Sequence, residues 1–451
     1  MRITIVGTGY VGLVTGTCLA HAGHDVTCVD TQPDRVAAVN SGRPPFYEPE
    51  LAEMLSSALG EGRLRASNNT AECVASSEIT VLAVGTPCCR GEIDLSYLSA
   101  AAAEVGKGLR AISDYHTVVV KSTVVPGTTD TLVRDILERA SGLSAGSFGL
   151  AMNPEFLREG SAVADFMDPD RIVIGHWDEP SGQALAEIYR SFDCPKVFTT
   201  LRNAEMTKYA SNALLATLIS FSNEFAALCE ATAGTDVEKV LGALQLDRRL
   251  SPVHNSVRIV PGILSYLRAG CGFGGSCLPK DISALRDYAV RQGVVPRLLD
   301  AVAAVNASRP AQVVAMAEEA LGSLRGADVA VLGLAFKPGT DDVRDSPALA
   351  VIHQLEDKGV AVRAYDPMVR AIPGFRVCGS VRQALTGADA AILVTAWPEF
   401  ADLDWTALSQ IMRRPIVVDG RNALAGSNVP EGLNCIPIGR HFRPEGVSLA
   451  L

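Results

Sequence analysis

One pattern is written near both ends of this 451-residue chain, and it constrains the fold more than any other feature. At the start, RITIVGTGYVG runs into an apolar stretch with helical spacing, LVTGTCLAHAG, and then into HDVTCVD, which ends at Asp30. From Asp328, DVAVLGLAF is followed by the helical SPALAVIHQLEDKG and by VAVRAYDP, with Asp366 in the corresponding place. Further short apolar runs follow in each half, EITVLAVGTP and HTVVVKSTVVPG in the first, DAAILVTAWPEF and PIVVDGRNAL in the second. Runs this short and this rich in β-branched residues make buried strands, and their alternation with helices makes parallel sheets with right-handed crossovers. The expected fold is α/β, with two doubly wound, Rossmann-like parallel-sheet domains joined by a long central helix region.

The joining region reads differently. From Asn203 to Gly234 there is no proline, and glycine occurs only at the end. Leu214, Leu218, Phe221, Phe225 and Leu228 recur at spacings of three and four, which predicts a long helix with a buried stripe, capped by Asn203 or by the Arg202-Asn203 pair. Such a helix is placed to form an interdomain core and the surface of a homodimer. The expected domains are residues 1–200, a central helical segment 201–305, and 306–451. A chain of this length is too long for one core. With 48% hydrophobic and 20% charged residues it falls among soluble globular proteins.

Forty Lys+Arg against 50 Asp+Glu, a net charge of −10, argue against a general nucleic-acid binder, which would carry a basic face. The 11 cysteines form no paired CxxC pattern, so neither a metal site nor a disulfide framework is expected, and a cytosolic setting with free thiols is. The N-terminus already reads as strand and turn rather than signal peptide, and no apolar run reads as long enough for a membrane span.

Gly7-Thr8-Gly9-Tyr10-Val11-Gly12 is GxGxxG directly after a strand and opening a helix. The glycines permit a tight turn and close backbone approach, and the helix N-terminus offers amides to a pyrophosphate. Asp30 ends the next strand at the distance the dinucleotide fingerprint requires. Its carboxylate can accept from both ribose hydroxyls and would repel a 2′-phosphate. Thr31 and Gln32 follow with no arginine directly beside it, so NAD is expected rather than NADP. At the other end, Gly333-Leu334-Ala335-Phe336-Lys337 does not keep the glycine spacing; there Lys337 and Arg344 suit a phosphate-bearing substrate.

Gly274-Gly275-Ser276-Cys277-Leu278-Pro279-Lys280-Asp281 places a cysteine after glycines and ahead of a helical stretch. A thiol at a helix N-terminus beside a lysine has its thiolate favoured, which a nucleophile needs. Asp281 lies four residues on and would share its face. Cys18, Cys28 and Cys229 fit small buried hydrophobes, whereas a charged, glycine-rich setting is not a core. Lys208 and Asn212 show the same helical spacing and could together stabilise an oxyanion. Glu155 and Glu159 in NPEFLREGSA are expected to share a helical face and to offer a general base and a substrate contact.

The stretches VGTGYVG, GTP (85–87), STVVPGT, NPEFLREGSAV, DPDRIVIG, AEMTKYASNA, GFGGSCLPKD and LGLAFKPGTDDVRDSP together resemble the UDP-glucose/GDP-mannose dehydrogenase family over nearly the whole chain. NPEFLREGSAVADFMDPDRIVIG is most similar to the UDP-glucose branch, and SCLPKD speaks against the N-acetylmannosamine branch. The resemblance implies NAD-dependent oxidation of a hexose C6 alcohol to the carboxylate, with Cys277 capturing the aldehyde as a thiohemiacetal and then carrying a thioester. It implies that Lys208 and Asn212 stabilise the oxyanion, and that Asp281, Glu155 and Thr123 organise the base and the hydrolytic water. Glu155, Phe156, Leu157, Glu159, Lys208, Asn212, Gly272, Phe273, Gly274 and Lys337 would hold the nucleotide sugar. Gly7, Gly9, Tyr10, Val11, Gly12, Asp30, Arg35, Thr86, Thr123, Lys280 and Arg344 would meet the cofactor. Here Arg344, which its charge alone assigns to substrate phosphate, moves to the cofactor side.

One departure concerns the 248–268 segment, RRLSPVHNSVRIVPGILSYLR, which is longer than the family's usual link into GFGGSC. It leaves the base open among UDP-glucose, the first expectation, dTDP-glucose and GDP-mannose. Two other readings compete. A one-step hydroxyacid dehydrogenase leaves Cys277 without a task, and a silent NAD-binding scaffold predicts decay of Cys277, Lys208, Asn212 and Asp281, all of which are present.

Overall fold

A computed structural model describes residues 1–89, 91–424 and 429–441. The chain divides into two compact units, one of residues 1–211 with 283–292 and one of 212–282 with 293–451.

In the first unit, eight strands form one sheet: β1 (Arg2–Val6), β2 (Asp25–Val29), β3 (Leu64–Ser67), β4 (Ile79–Leu82), β5 (Thr117–Val120), β6 (Gly149–Met152), β7 (Ile172–His176) and β8 (Lys196–Thr200), in the order β8-β7-β6-β5-β4-β1-β2-β3. Apolar residues on successive positions serve both faces, as the two-residue period of a strand requires. Val119 packs into one core with Ile3, Ile5 and Val81, while its neighbours Val118 and Val120 pack into another with Val6 and Leu82. Strands β1 to β6 are parallel, but β7 pairs antiparallel with β6, through Ala151 with His176, and β8 follows β7. The parallel sheet expected from the sequence thus carries one antiparallel pairing near this edge. Strand order reverses beside β1, where β4 is its other neighbour, and at such a switch point ligands meet the carboxyl ends of the strands.

The second unit holds five parallel strands, β9 (Asp328–Leu332), β10 (Ala361–Tyr365), β11 (Ala390–Leu393), β12 (Ile416–Asp419) and β13 (Asn434–Pro437), ordered β10-β9-β11-β12-β13. Asp366, the counterpart of Asp30, is 1% exposed and already accepts from the amides of Leu334, Ala335, Met368 and Val369 and from the Trp397 indole. The site that reads a ribose in a dinucleotide domain is here closed by the protein's own donors.

Of the helices, α1 is Tyr10–His21, α2 Leu201–Ala231, α3 Leu278–Arg291 and α4 Arg297–Leu321. Helix α2 begins directly after β8, so Asn203 lies in its first turn rather than at its cap, and its amide donates to the Thr200 hydroxyl at 3.3 Å. The expected buried stripe is outside: Leu214 is 50% exposed, Phe221 40%, Phe225 36% and Leu228 56%. The face turned inward carries small and polar residues instead, Ala204, Glu205, Lys208, Asn212, Ala216, Ser220, Asn223 and Ala226. By length and composition alone α2 is apolar enough to cross a membrane, contrary to the sequence reading. That apolar character comes from the outer stripe, while the inner face spends buried charge and amides on partners within the fold. In the 248–268 segment, Val253–His254 and Val257–Arg258 form a hairpin whose turn residues Asn255 and Ser256 both have positive φ, as a tight hairpin turn demands.

Candidate active site

The turn after β1 has the form of an anion cradle. Gly7 has φ +103°, and a Cβ there would lie 2.7 Å from the Ala83 carbonyl oxygen; a Cβ on Gly12 would strike the Gly7 carbonyl at 1.9 Å. Any side chain at either position breaks the turn. Gly9 caps α1 with no side-chain hydrogen bond, and a Cβ on it would meet nothing within 4 Å. The backbone at Gly9 thus leaves room for close approach at the start of a helix, where unpaired amides suit a pyrophosphate. Asp30 Oδ2 accepts from the Thr8 amide (3.0 Å) and hydroxyl (2.5 Å), and Oδ1 from the Gln32 amide. Partial burial raises its pKa, yet these donors and Arg35 outweigh it and leave the carboxyl below its ordinary value. Arg35, which does not adjoin Asp30 in sequence, returns along its helix to 3.8 Å from it. Across the switch point the Thr86 hydroxyl donates to the Thr123 carbonyl at 2.7 Å, joining the ends of two strands.

Still in the first unit, Lys208 Nζ and Glu155 Oε1 form an ion pair of 2.8 Å with side chains 5% and 7% exposed. Burial alone would raise the carboxyl; the Lys208 ammonium, the Leu157 amide at 2.7 Å and the charge of Lys121 override it and hold the pKa low. The helical face expected for Glu155 and Glu159 does not exist. Residues 153–158 are irregular, Glu159 lies in a turn, and a helix starts only at Ala162. Pro154 disfavours helix for the residue before it. Asn153 is pinned further by its side chain, which accepts from Lys121 Nζ (2.8 Å) and the Tyr189 hydroxyl (2.7 Å) and donates to the Val173 carbonyl. Phe156 lies under the Arg171 guanidinium at 4.1 Å, and Leu157 packs on the apolar core. Lys121 itself is buried, and burial pushes its ammonium down to about 8.

In the second unit Cys277 is exposed and caps α3, its carbonyl accepting from the Asp281 amide at 2.8 Å. The helix does begin at once, so Cys277 and Asp281 share its first turn. Asp281, 2% exposed, accepts from the Asn212 amide at 2.6 Å and pairs with Lys280 at 2.5 Å. Asn212 follows Lys208 by one turn of α2. The glycines ahead of the cysteine are there for close packing: a Cβ on Gly274 would lie 2.3 Å from the Asp345 carbonyl, and one on Gly275 (φ +84°) would strike the Phe336 ring. Gly275 donates to the Arg344 carbonyl, while the Arg344 side chain chelates Asp342. Lys337 is half-buried beside Phe336.

Sequence reasoning missed what holds this loop. Asn306 clamps Phe273 through both its amide (2.7 Å) and its carbonyl (3.1 Å). Arg309, wholly buried, donates to the Gly270 carbonyl, and Arg421 donates to that of Gly272 at 2.9 Å. The Asn306–Arg309 spacing on one helix and an arginine two residues after β12 were signals, but neither names its partner.

A glycine cradle at a strand switch point, with an ionised carboxylate ending the second strand, is the form of a dinucleotide-binding domain. The chain belongs to the UDP-glucose/GDP-mannose dehydrogenase family: residues 1–193 match its NAD binding domain, 202–308 its central domain and 330–426 its UDP binding domain. It is an NAD-dependent oxidoreductase. It is 40% identical over 428 residues to UDP-glucose 6-dehydrogenase TuaD of Bacillus subtilis, covering 93% of this chain and 89% of that one. It is 43% identical over 433 residues to UDP-glucose 6-dehydrogenase AglM of Haloferax volcanii, covering 93% and 96%. The structure resembles a UDP-glucose dehydrogenase from Pyrobaculum islandicum with TM-score 0.88 and 40% identity over 98% of both chains. It also resembles a UDP-D-ManNAc dehydrogenase from Pyrococcus horikoshii with TM-score 0.85 and 31% identity, covering 98% and 99%, so the fold alone does not choose the sugar.

Proposed function

We propose that this enzyme oxidises UDP-glucose at C6 to UDP-glucuronate through a covalent intermediate on Cys277. The observation that carries the reading is the exposed cysteine at the mouth of α3, one turn before the buried Asp281, which Asn212 and the part-buried Lys280 hold. Relatives of about 40% identity named UDP-glucose 6-dehydrogenase support the choice of sugar nucleotide.

Gly7, Gly9, Tyr10, Val11 and Gly12 hold the NAD pyrophosphate and Asp30 its ribose, with Arg35, Thr86, Lys280 and Arg344 as further contacts. When bound, NAD accepts a hydride in each of two oxidations. Once the C6 alcohol has become an aldehyde, the Cys277 sulfur adds to it, forming a C–S bond and a tetrahedral oxyanion that Lys208 and Asn212 stabilise. After the second oxidation the sulfur carries a thioester. Water, oriented by Asp281, Glu155 and Thr123, adds to the carbonyl, and the C–S bond breaks to release carboxylate and thiol. Phe156, Leu157, Glu159, Gly272, Phe273, Gly274 and Lys337 hold the sugar nucleotide.

A panel of UDP-glucose, dTDP-glucose and GDP-mannose, assayed for NADH released per sugar consumed, tests this. Two NADH per UDP-glucose, with kcat/KM at least about 10-fold above the other nucleotides, is expected, one hydrogen-bonding mismatch costing that much or more. One NADH per sugar would leave Cys277 without a task and overturn the reading. The altered 248–268 segment is the reason dTDP-glucose and GDP-mannose belong in the panel.

The reading extends to a cytoplasmic homodimer whose domains follow residues 1–200, 201–305 and 306–451. Its support is the outer stripe of α2, where Phe221 and Phe225 pack ring on ring at 4.7 Å and remain exposed in the single chain. A stripe of this kind, backed by a polar inner face, is better matched to a second copy than to lipid. Phe225→Glu is expected to shift the sedimentation coefficient from dimer to monomer, and an unchanged value contradicts the interface.

A further inference from the structure

Glu48 lies outside every motif used so far, yet it joins two of them within the first unit. The side chain is 5% exposed. Its Oε1 accepts from the Ala162 amide at 2.7 Å, and its Oε2 accepts from the Gly160 amide at 2.7 Å and from the Tyr10 hydroxyl. Tyr10 is the first residue of α1, within the dinucleotide turn. Gly160 directly follows Glu159 in the loop that also carries Glu155, Phe156 and Leu157, and Ala162 opens the helix that ends this loop.

We propose that Glu48 is a positioning residue that couples the cofactor turn to the 155–162 loop, so that sugar-nucleotide binding and dinucleotide binding change one another's affinity. The inference rests on the functional reading above, which places NAD at the turn and substrate at the loop.

The connection has little slack. Phe46 packs on the Tyr10 ring with centroids 4.9 Å apart, holding it from the side. Just beyond, Glu50 has φ 65°, a left-handed conformation that non-glycine residues adopt only where the surroundings enforce it, and Leu51 and Leu55 anchor the next helix fully buried. The carboxylate is thus fixed to the core by its own segment and tied by three donors to two loops. Shifting either loop alone strips a donor from a buried carboxylate, which is costly, so the loops favour moving together. Burial and the adjoining Glu48 both raise the Tyr10 pKa, so the hydroxyl stays a donor throughout the working pH range.

The test is NADH binding to the full-length enzyme, read by its fluorescence, with and without saturating UDP-glucose. NADH cannot reduce an alcohol, so the ternary complex is stable. In the wild type, UDP-glucose is expected to change the NADH Kd by about fivefold or more, the lower end of ordinary coupling between sites. In Glu48→Gln, and equally in Tyr10→Phe, the ratio should fall within about twofold of unity. Tyr10→Phe removes only one hydroxyl and keeps both amide bonds to Glu48, so it decides the matter should Glu48→Gln not fold. A wild-type ratio near one, or a ratio preserved in Tyr10→Phe, overturns the coupling while leaving the functional reading intact. Failure of the wild type to bind NADH or UDP-glucose at all sinks the functional reading itself, and the coupling with it.

Discussion

Cys277→Ser and Cys277→Ala are expected to reduce acid formation by at least about 10³-fold, the scale on which loss of a nucleophile acts. NADH binding should persist, because the Gly7–Gly12 turn belongs to the other compact unit. Steady-state formation of UDP-glucuronate and fluorescence titration with NADH check the two halves of this statement. Cys271 provides the internal control. It lies six residues upstream but is fully buried, its thiol donates to the Gly420 carbonyl at 3.2 Å, and burial pushes its pKa up. A buried thiol spent on a carbonyl cannot reach an aldehyde, so Cys271→Ala should still release two NADH per sugar. Full turnover in Cys277→Ala would refute the mechanism.

Lys208→Met should damage both chemistry and fold. As an oxyanion donor its loss is expected to lower kcat by about 10²–10³-fold. As the partner of Glu155 its loss leaves a buried carboxylate without its ammonium, a change that costs about 3–5 kcal/mol in other buried pairs. The pH dependence separates the two effects. In the wild type Glu155 is held below its ordinary pKa, so its contribution to stability is present above the unfolded pKa and fades as pH falls through the folded one. Without Lys208 burial dominates, the folded pKa rises, and the variant loses stability as pH rises instead. Chemical denaturation across pH 4 to 8 reads this reversal of slope. The double variant Lys208→Met/Glu155→Gln should recover most of the stability and none of the activity; recovery of activity would show Lys208 to be structural only.

The architecture was legible because its signals are local. Valine runs such as 118–120 serve both faces of a sheet, and the glycines at 7 and 12 stand where any Cβ would collide with backbone. Strand direction is not local: nothing in RIVIGH tells that β7 runs against β6. The stripe on α2 had the right period, but apolar periodicity does not say whether a face meets its own core or remains outside the chain's fold, and Leu228 remains exposed. Glu155 and Glu159 have helical spacing, but the segment that Pro154 and the Asn153 side-chain bonds begin is irregular and then turns. Contacts across long separations left nothing in the sequence that names their partners. Glu48 reaches Ala162 over 114 residues, and Arg421 reaches Gly272 over 149.

The direct measurement of the covalent route is intact-protein and peptide mass spectrometry on enzyme quenched in acid during the first turnover with UDP-glucose and NAD. A sugar-nucleotide adduct confined to the peptide bearing Cys277, rising and decaying at the rate of the second NADH, is the expected result. Two NADH released with no adduct at any time, or an adduct on another residue, would contradict it.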